Sequence, residues 1–357
     1  MKVLVEVMAA DFGGIRTYVE NLLRAWEQHH PDDDLLVVVP EGSTIATYGH
    51  DRRAVAVPRP QVAGRPWVQS TTVRRLARSE HVDAVLATMP VTSLVRSGIP
   101  TAVVVHDLRH EVLPEQFSRA RRLLRRISYD RSYQVADGFV AVSRRTLDDL
   151  HRLHPRLAAK PAAVVHHGAD HVLGWPGTPG SGPAITFAHH TNKNPDLVLD
   201  GWATARDRGL SPPDLLVLGT GSDRERLSAR VAELGLGATV RLAPFLADEE
   251  FAAAMRSASM VVFPSSFEGF GLPVVEGMLS GVPVVIGPEP ATLEVAAGHA
   301  SVLADWSPAS LAEAVDRASR LDEDQLARAR EHAAGFTWAR TVEETRTFLQ
   351  RLAERSR

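Results

Sequence analysis

The chain has no cysteine, only three lysines beside 37 arginines, and no apolar run approaching 18 residues. Without thiols, disulfides and thiolate metal sites drop out. Without a long apolar run, so does a membrane-spanning helix. Aromatic residues make up 6% of the 357 positions and do not gather with the arginines into a dense patch, which argues against nucleic acid as a partner. The start, Met1-Lys2-Val3-Leu4-Val5-Glu6, brings in an acid too early for a signal peptide, so a cytoplasmic protein is expected.

What is present suits a large core. The composition is 44% apolar, and the length predicts two domains. Net charge is −3 but unevenly divided: residues 1–168 hold 23 basic and 18 acidic residues, a balance of +5, which leaves −8 for the remainder. A basic first half suits an anionic acceptor or a membrane surface, or is ordinary scatter.

Apolar, β-branched runs alternate with helical patterns. Val3–Val7, Leu35–Val39, Ala84–Ala87, Thr101–Val105 and Gly138–Val142 read as buried strands of a first domain, with helices at Ile15–Gln28 and Arg119–Val135. Ala184–Ala188, Leu215–Gly219, Val240–Ala243, Met260–Phe263 and Val282–Ile286 do the same in a second. Uninterrupted apolar strands between helices argue for two doubly wound parallel-sheet domains, whose ligands sit outside the carboxyl ends of the strands. The expected division is 1–170, a linker at 171–183 containing Gly174-Trp-Pro-Gly-Thr-Pro-Gly-Ser-Gly-Pro183, a second domain at 184–335, and a closing C-terminal helix within 336–357. Two such domains facing each other would form a cleft. The apolar stripe of the last helix includes Val342, Phe348, Leu349 and Leu352.

The most informative stretch runs from Pro264 to Pro283 and reads as strand, glycine-rich turn, short helix and second strand. Pro273 suits the first helical position and Gly281 the stop. Backbone amides from Gly269 to Leu272 would then face a ligand over the helix N-terminus. A carboxylate on either side, Glu268 and Glu276, would repel a bare phosphate but fits a ligand with hydroxyls as well as phosphates. A nucleotide sugar has both.

Other candidates lie after expected strands. Gly13-Gly14 lets the backbone approach a diphosphate or an acceptor. Arg16 and Tyr18 on the following helix, and Asp107, are acceptor-side candidates. His106 ends the Thr101–Val105 strand. Lys193, in His189-His190-Thr-Asn-Lys-Asn194, follows the first expected strand of the second domain and is one of few lysines, so it is less readily a random cation. Gly219-Thr-Gly221 has Arg224 where a dinucleotide fingerprint needs its third glycine, so it lines a nucleotide pocket or closes a turn. Arg119, Arg121, Arg122, Arg125 and Arg126, with Leu123, Leu124 and Ile127, form a basic amphipathic helix that suits an anionic membrane or a solvated face packed by its leucines.

Glu268-Gly-Phe-Gly-Leu-Pro-x-x-Glu276 resembles the Glu-x7-Glu motif of retaining glycosyltransferases of GT-B architecture, family 4 in particular, and the likeness extends over nearly the whole chain. It implies that Glu268, with Gly269, Phe270, Gly271 and Leu272, grips sugar and phosphate, and that Glu276 holds the ribose. It further implies that Gly13-Gly14 faces the cleft, His106 contacts the sugar near the reacting centre, and Lys193 neutralises the leaving diphosphate. Glu294, in Ala291-Thr-Leu-Glu-Val295, resembles a further family segment beyond the donor site. One departure stands out: the family's Arg is missing between Ile185 and Lys193. His189, His190, Asn192 or a distant Arg would have to replace it.

The implied activity is front-face hexosyl transfer from a nucleotide sugar to a hydroxyl acceptor, a glycan, glycolipid or small molecule, with no metal or other cofactor. GDP-mannose is preferred as donor, ahead of UDP-hexoses and dTDP-rhamnose. A phosphorylase, an epimerase or a catalytically silent nucleotide-sugar binder would also carry much of this pattern.

Overall fold

Val3, Leu4 and Val5 are fully buried, as are Val103 to Val105 and Val261 to Val262. Strands apolar on both faces must lie between two helical layers, and parallel pairing supplies those layers through its crossovers. The computed structural model describes residues 1–10 and 13–355. Its strands form two sheets, and every pairing within them is parallel. The chain divides into two units, residues 1–168 with 337–357, and residues 169–336.

The first unit contains β1 (Lys2–Glu6), β2 (Asp34–Pro40), β3 (Asp51–Val55), β4 (Ala84–Ala87), β5 (Thr101–Val105), β6 (Gly138–Ala141) and β7 (Ala162–Val164) in the order β3-β2-β1-β4-β5-β6-β7. The chain steps outward from β1 to β3, then returns to the other side of β1, so the order reverses between β1 and β4. The edge strands β3 and β7 were not legible as strands. Asp51-Arg-Arg-Ala is exposed and charged, and pairing with β2 holds it extended. Charge on an edge also discourages further pairing.

The second unit contains β8 (Ala184–Phe187), β9 (Leu215–Leu218), β10 (Val240–Leu242), β11 (Met260–Phe263), β12 (Val284–Ile286) and β13 (Ser301–Val302), in the order β10-β9-β8-β11-β12-β13. Its reversal falls between β8 and β11.

The stretch 171–183, expected as a linker, lies inside this second unit. It opens as a 3₁₀ turn at Asp170–Gly174, and the Gly180 and Gly182 amides then donate to the carbonyls of Ala258 and Ser257 (2.9 and 2.7 Å). At Gly177 and Gly182 a Cβ would run into Ser257, so these two glycines serve close approach rather than slack. The chain passes between units at 168/169 and 336/337 instead.

The C-terminal helix, Trp338–Arg355, belongs to the first unit and buries Trp338, Val342, Phe348, Leu349 and Leu352. Phe348 and Leu352 close over Gly138, where a Cβ would come within 2.8 and 3.1 Å of them. Further along, Arg346 Nε and Nη2 donate to Asp33 Oδ2 and Oδ1 (2.7 and 3.2 Å). Asp33 also accepts from the Met1 amino group (2.5 Å) and Trp26 Nε1 (3.0 Å). Burial pushes this carboxyl up, but the bonds from Arg346, the amino group and Trp26 outweigh it and bring it down from 3.8 to about 2.

A carboxyl depressed in the folded state adds stability above its unfolded value, and that stability is lost as pH falls through the folded one. Asp33→Asn is therefore expected to cost about 2 kcal/mol at pH 7. It should also flatten the loss of stability between about pH 4 and pH 2 seen for the parent. Urea titrations at pH 7 and pH 3 would measure both; equal stability of the two proteins at pH 7 would overturn the assignment.

Candidate functional site

In an open parallel sheet the two loops leaving the strands at the reversal diverge and leave a crevice. In the second unit these loops follow β8 and β11, and side chains stitch them together. Asn192, buried after β8, donates through Nδ2 to Ser265 Oγ (3.0 Å), to the Phe267 carbonyl (2.8 Å) and to Glu268 Oε1 (3.2 Å). In return the Ser266 amide donates to the Asn192 carbonyl (2.8 Å), and Ser265 Oγ lies 2.9 Å from the same oxygen. Asn194 takes a left-handed conformation (φ 52°) to start the Pro195–Asp207 helix, and its Nδ2 donates to the Pro264 carbonyl (2.8 Å).

Lys193 and Glu268 meet at this stitch. Lys193 Nζ donates to Glu268 Oε1 (2.5 Å), Ser265 Oγ donates to the same oxygen (2.5 Å), and Nζ stands 4.4 Å from the Phe263 ring centre. The lysine and glutamate side chains keep only 9% and 14% of their exposure. Such an ion pair, largely withdrawn from water, is strong enough to fix both groups. Asn192, one of the candidates to replace the missing Arg, is spent on Glu268 and contributes no charge. His189 and His190 pack edge-on to each other (5.0 Å), with His189 also against Phe187 and Phe245 (6.2 and 6.0 Å). Gly219 (φ 72°) lets the turn after β9 approach: a Cβ there would lie 3.1 Å from the His189 Cβ. Thr220 Oγ1 and its amide bond the Ala243 carbonyl (3.1 Å each), tying that turn to the end of β10.

The helix carrying Glu276 spans Leu272–Ser280, with Gly271 (φ 96°) before it and Gly281 (φ 79°) after it. It starts at Leu272, so Pro273 is its second residue rather than its first, and Glu276 its fifth. Gly277 brings the helix down onto the sheet, since a Cβ would lie 2.9 Å from both Val261 Cγ2 and Val284 Cγ2. Phe270 is buried, its ring 6.0 Å from Phe336, so that side chain belongs to the core. Gly269 and Leu272 are half-buried.

Glu276 is itself buried (4% exposed) and bonds His171, with Nε2 3.2 Å from Oε1. Sequence reasoning missed His171, because it sits in the stretch taken for a linker. Trp175 packs edge-on to His171 (5.2 Å) and to Phe251 (5.9 Å). Phe251 in turn approaches Phe187, and Phe187 packs on Phe263 beneath Lys193 (6.4 and 5.7 Å).

Thr292 packs under the donor turn, its Cγ2 3.1 Å from where a Gly271 Cβ would be. Glu294 lies half-buried within the Pro290–Ala296 helix, whose N-cap is the buried Glu289, accepting from the Thr292 amide (2.9 Å).

In the first unit, Gly13 (φ 66°) and Gly14 open the Gly13–His29 helix on the exposed surface. Arg16 Nε donates to Glu20 Oε1 on its own helix (3.1 Å). Tyr18, expected on the acceptor side, is buried: its ring packs on His106 (5.1 Å), His167 (4.7 Å) and Trp338 (6.1 Å). Tyr18 lies five residues beyond the helix start at Gly13, on the face that points inward, and the aromatic pocket takes the phenol. Burial pushes that hydroxyl well above its ordinary value.

His106 Nε2 lies 2.9 Å from the Thr88 carbonyl, which can only accept. The proton therefore sits on Nε2 and Nδ1 offers a lone pair. Burial lowers the His106 pKa, with the Thr88 bond and Asp107 opposing. Asp107 is exposed and caps a turn by accepting from the Arg109 amide (2.9 Å). Glu6, a residue sequence reasoning passed over, ends β1 at the reversal. Burial raises its carboxyl to about 7, against hydrogen bonds from Thr92 and Gln69.

On the basic helix, Arg119–Val135, the side chains of Arg119 and Arg121 lie outside the described ones. Leu123, Leu124 and Ile127 are 60%, 49% and 59% exposed, so the leucines do not pack the helix down. Among the described residues no helix is long and apolar enough to cross a membrane, and no cluster of three or more His, Asp and Glu side chains is placed to hold a metal ion.

The family model "Glycosyl transferases group 1" matches residues 186–335, and "Glycosyltransferase Family 4" matches residues 12–173. A D-inositol 3-phosphate glycosyltransferase of Jonesia denitrificans is 31% identical over 58% of this chain and 56% of its own length. An MMP alpha-(1->4)-mannosyltransferase of Mycolicibacterium hassiacum is 49% identical over 15% of this chain and 13% of its own. The chain thus spans about half the length, or less, of these curated relatives. Among solved structures, the HepE protein of Anabaena in complex with UDP and glucose aligns over 99% of both chains with a TM-score of 0.70 at 17% identity, a likeness of fold.

Proposed function

The chain belongs to family 4 of the GT-B glycosyltransferases, and from that premise we propose that it is a retaining hexosyltransferase drawing on a nucleotide-sugar donor. The observation that carries this reading is the Lys193–Glu268 pair at the reversal of the second sheet, beside the start of the Leu272–Ser280 helix. A fixed cation and the positive end of a helix stabilise charge as a diphosphate leaves, while Glu268 accepts from sugar hydroxyls. Glu276 holds the ribose.

In the proposed step the bond from the anomeric carbon to the phosphate oxygen breaks first, its electron pair going to the phosphate. A short-lived oxocarbenium species forms, and the acceptor hydroxyl attacks from the side the phosphate left. Its proton passes to the departing phosphate oxygen, so no separate base is needed. Neutral His106, with Nδ1 as acceptor, positions a sugar hydroxyl. Gly13-Gly14 and the exposed Asp107 serve the same reaction from the first unit.

GDP-mannose is the preferred donor. The Gly-Phe-Gly-Leu-Pro turn resembles family mannosyltransferases, and the mannosyltransferase match agrees with it. UDP-hexoses and dTDP-rhamnose come next. The acceptor is a hydroxyl compound. The exposed Leu123, Leu124 and Ile127 among arginines support peripheral contact with an anionic membrane.

A thermal-shift screen with GDP-, UDP- and dTDP-sugars tests the donor. At about 100 times its dissociation constant, the true donor adds roughly 2.7 kcal/mol, and no shift with any of them would sink the reading. Glu276→Ala should raise donor KM far more than it lowers kcat, since ribose contacts act alike in ground and transition states; unchanged affinity would remove it from the site. Lys193→Ala should lower kcat about 10²-fold, and full activity would exclude it. Prolonged incubation with donor separates the enzyme from a silent binder, which would neither transfer nor hydrolyse. Vesicles rich in anionic phospholipid should co-float the protein but not a variant with Leu123, Leu124 and Ile127 changed to Gln; equal flotation of both would dismiss the helix as a membrane contact.

A further inference from the structure

A carboxylate as buried as Glu276 needs a fixed partner. That partner is His171, on the Asp170–Gly174 turn, with 7% of its side chain exposed against 5% for the glutamate. A carboxylate oxygen accepts, so His171 Nε2 carries the proton and donates to Oε1 across 3.2 Å. The imidazole is constrained from a second side by the edge of Trp175, which is itself set against Phe251. Only Oε1 is engaged this way; among the described residues nothing bonds Oε2.

We infer that His171 is the positioning residue for the ribose carboxylate: it occupies Oε1, fixes the plane of the group, and leaves Oε2 set toward the hydroxyls of the nucleotide. The inference rests on the reading that Glu276 holds the ribose, and it adds the element that makes the hold selective. A carboxylate already held in one orientation loses little freedom when a ligand arrives, so its hydrogen bonds count more fully toward affinity. The second unit thereby couples its chain entry, at residue 169, to its nucleotide site.

The test uses the full chain, with GDP, UDP and their 2′,3′-dideoxy forms as calorimetric probes, alongside donor KM and kcat. His171→Phe should weaken the ribonucleotide about tenfold while leaving the dideoxy form unchanged, so the preference for ribose collapses. Donor KM should rise with kcat nearly constant, and His171→Gln, whose amide can still donate, should restore most of the preference. Should the phenylalanine variant fail to fold, His171→Asn, polar but too short to reach Glu276, answers the same question. A folded variant that keeps the full ribose preference, while Glu276→Ala loses it, would show that His171 only packs. If Glu276→Ala also keeps that preference, or if neither nucleotide binds the parent, the ribose reading itself fails and the inference falls with it.

Discussion

A parallel sheet whose strand order reverses forces two neighbouring loops apart at its carboxyl edge, and both sheets of this chain reverse once, at β1/β4 and β8/β11. The backbone groups exposed in such a gap must find partners. In the second unit Asn192 supplies them, its side-chain amide bonding Ser265, Phe267 and Glu268 while its carbonyl accepts from the Ser266 amide. Buried hydrogen bonds of this kind add about 1 kcal/mol each, and their loss costs more than their presence gains. The charged pair stands on that stitched platform, so its geometry follows from the topology.

Two charged groups sit at the ends of one aromatic layer. Glu276 bonds His171, and from there Trp175, Phe251, Phe187 and Phe263 follow in contact to Lys193. Rings have few rotamers and large contact areas, so such a layer holds its ends firmly at little entropic cost. Gly277 completes the arrangement by letting the motif helix lie directly on Val261 and Val284. The first unit places its own groups differently. His106, Tyr18, His167 and Trp338 form one aromatic cluster, and this cluster brings the C-terminal helix against the β5 edge, where His106 keeps a neutral ring.

Much of this was legible in the chain. Ten runs of apolar, β-branched residues marked strands, most of them buried, while the edge strand β10 buries only Val240. The helices at 119–135 and near the C-terminus announced themselves by their stripes. Glu268 and Glu276 stood out by their place on either side of a glycine turn. What stayed hidden depended on partners far along the chain. The charged strand β3 owes its extension to β2, Tyr18 turned inward because His167 and Trp338 were waiting, and Glu6 acquired its raised carboxyl from burial beside Thr92 and Gln69.

The amino-acid sequence alone determined the α/β class, the parallel sheets and the strand–turn–helix unit that carries Glu268 and Glu276, since each rests on local periodicity, turn chemistry and spacing. Only the tertiary structure decided that residues 171–183 belong to the second unit, that His171 sits on Glu276 across 105 positions of chain, and that Lys193 and Glu268 share a bond across 75. Glycine and proline look alike whether they loosen a linker or let two backbones touch. The difference lies in what approaches them, and no local pattern records that.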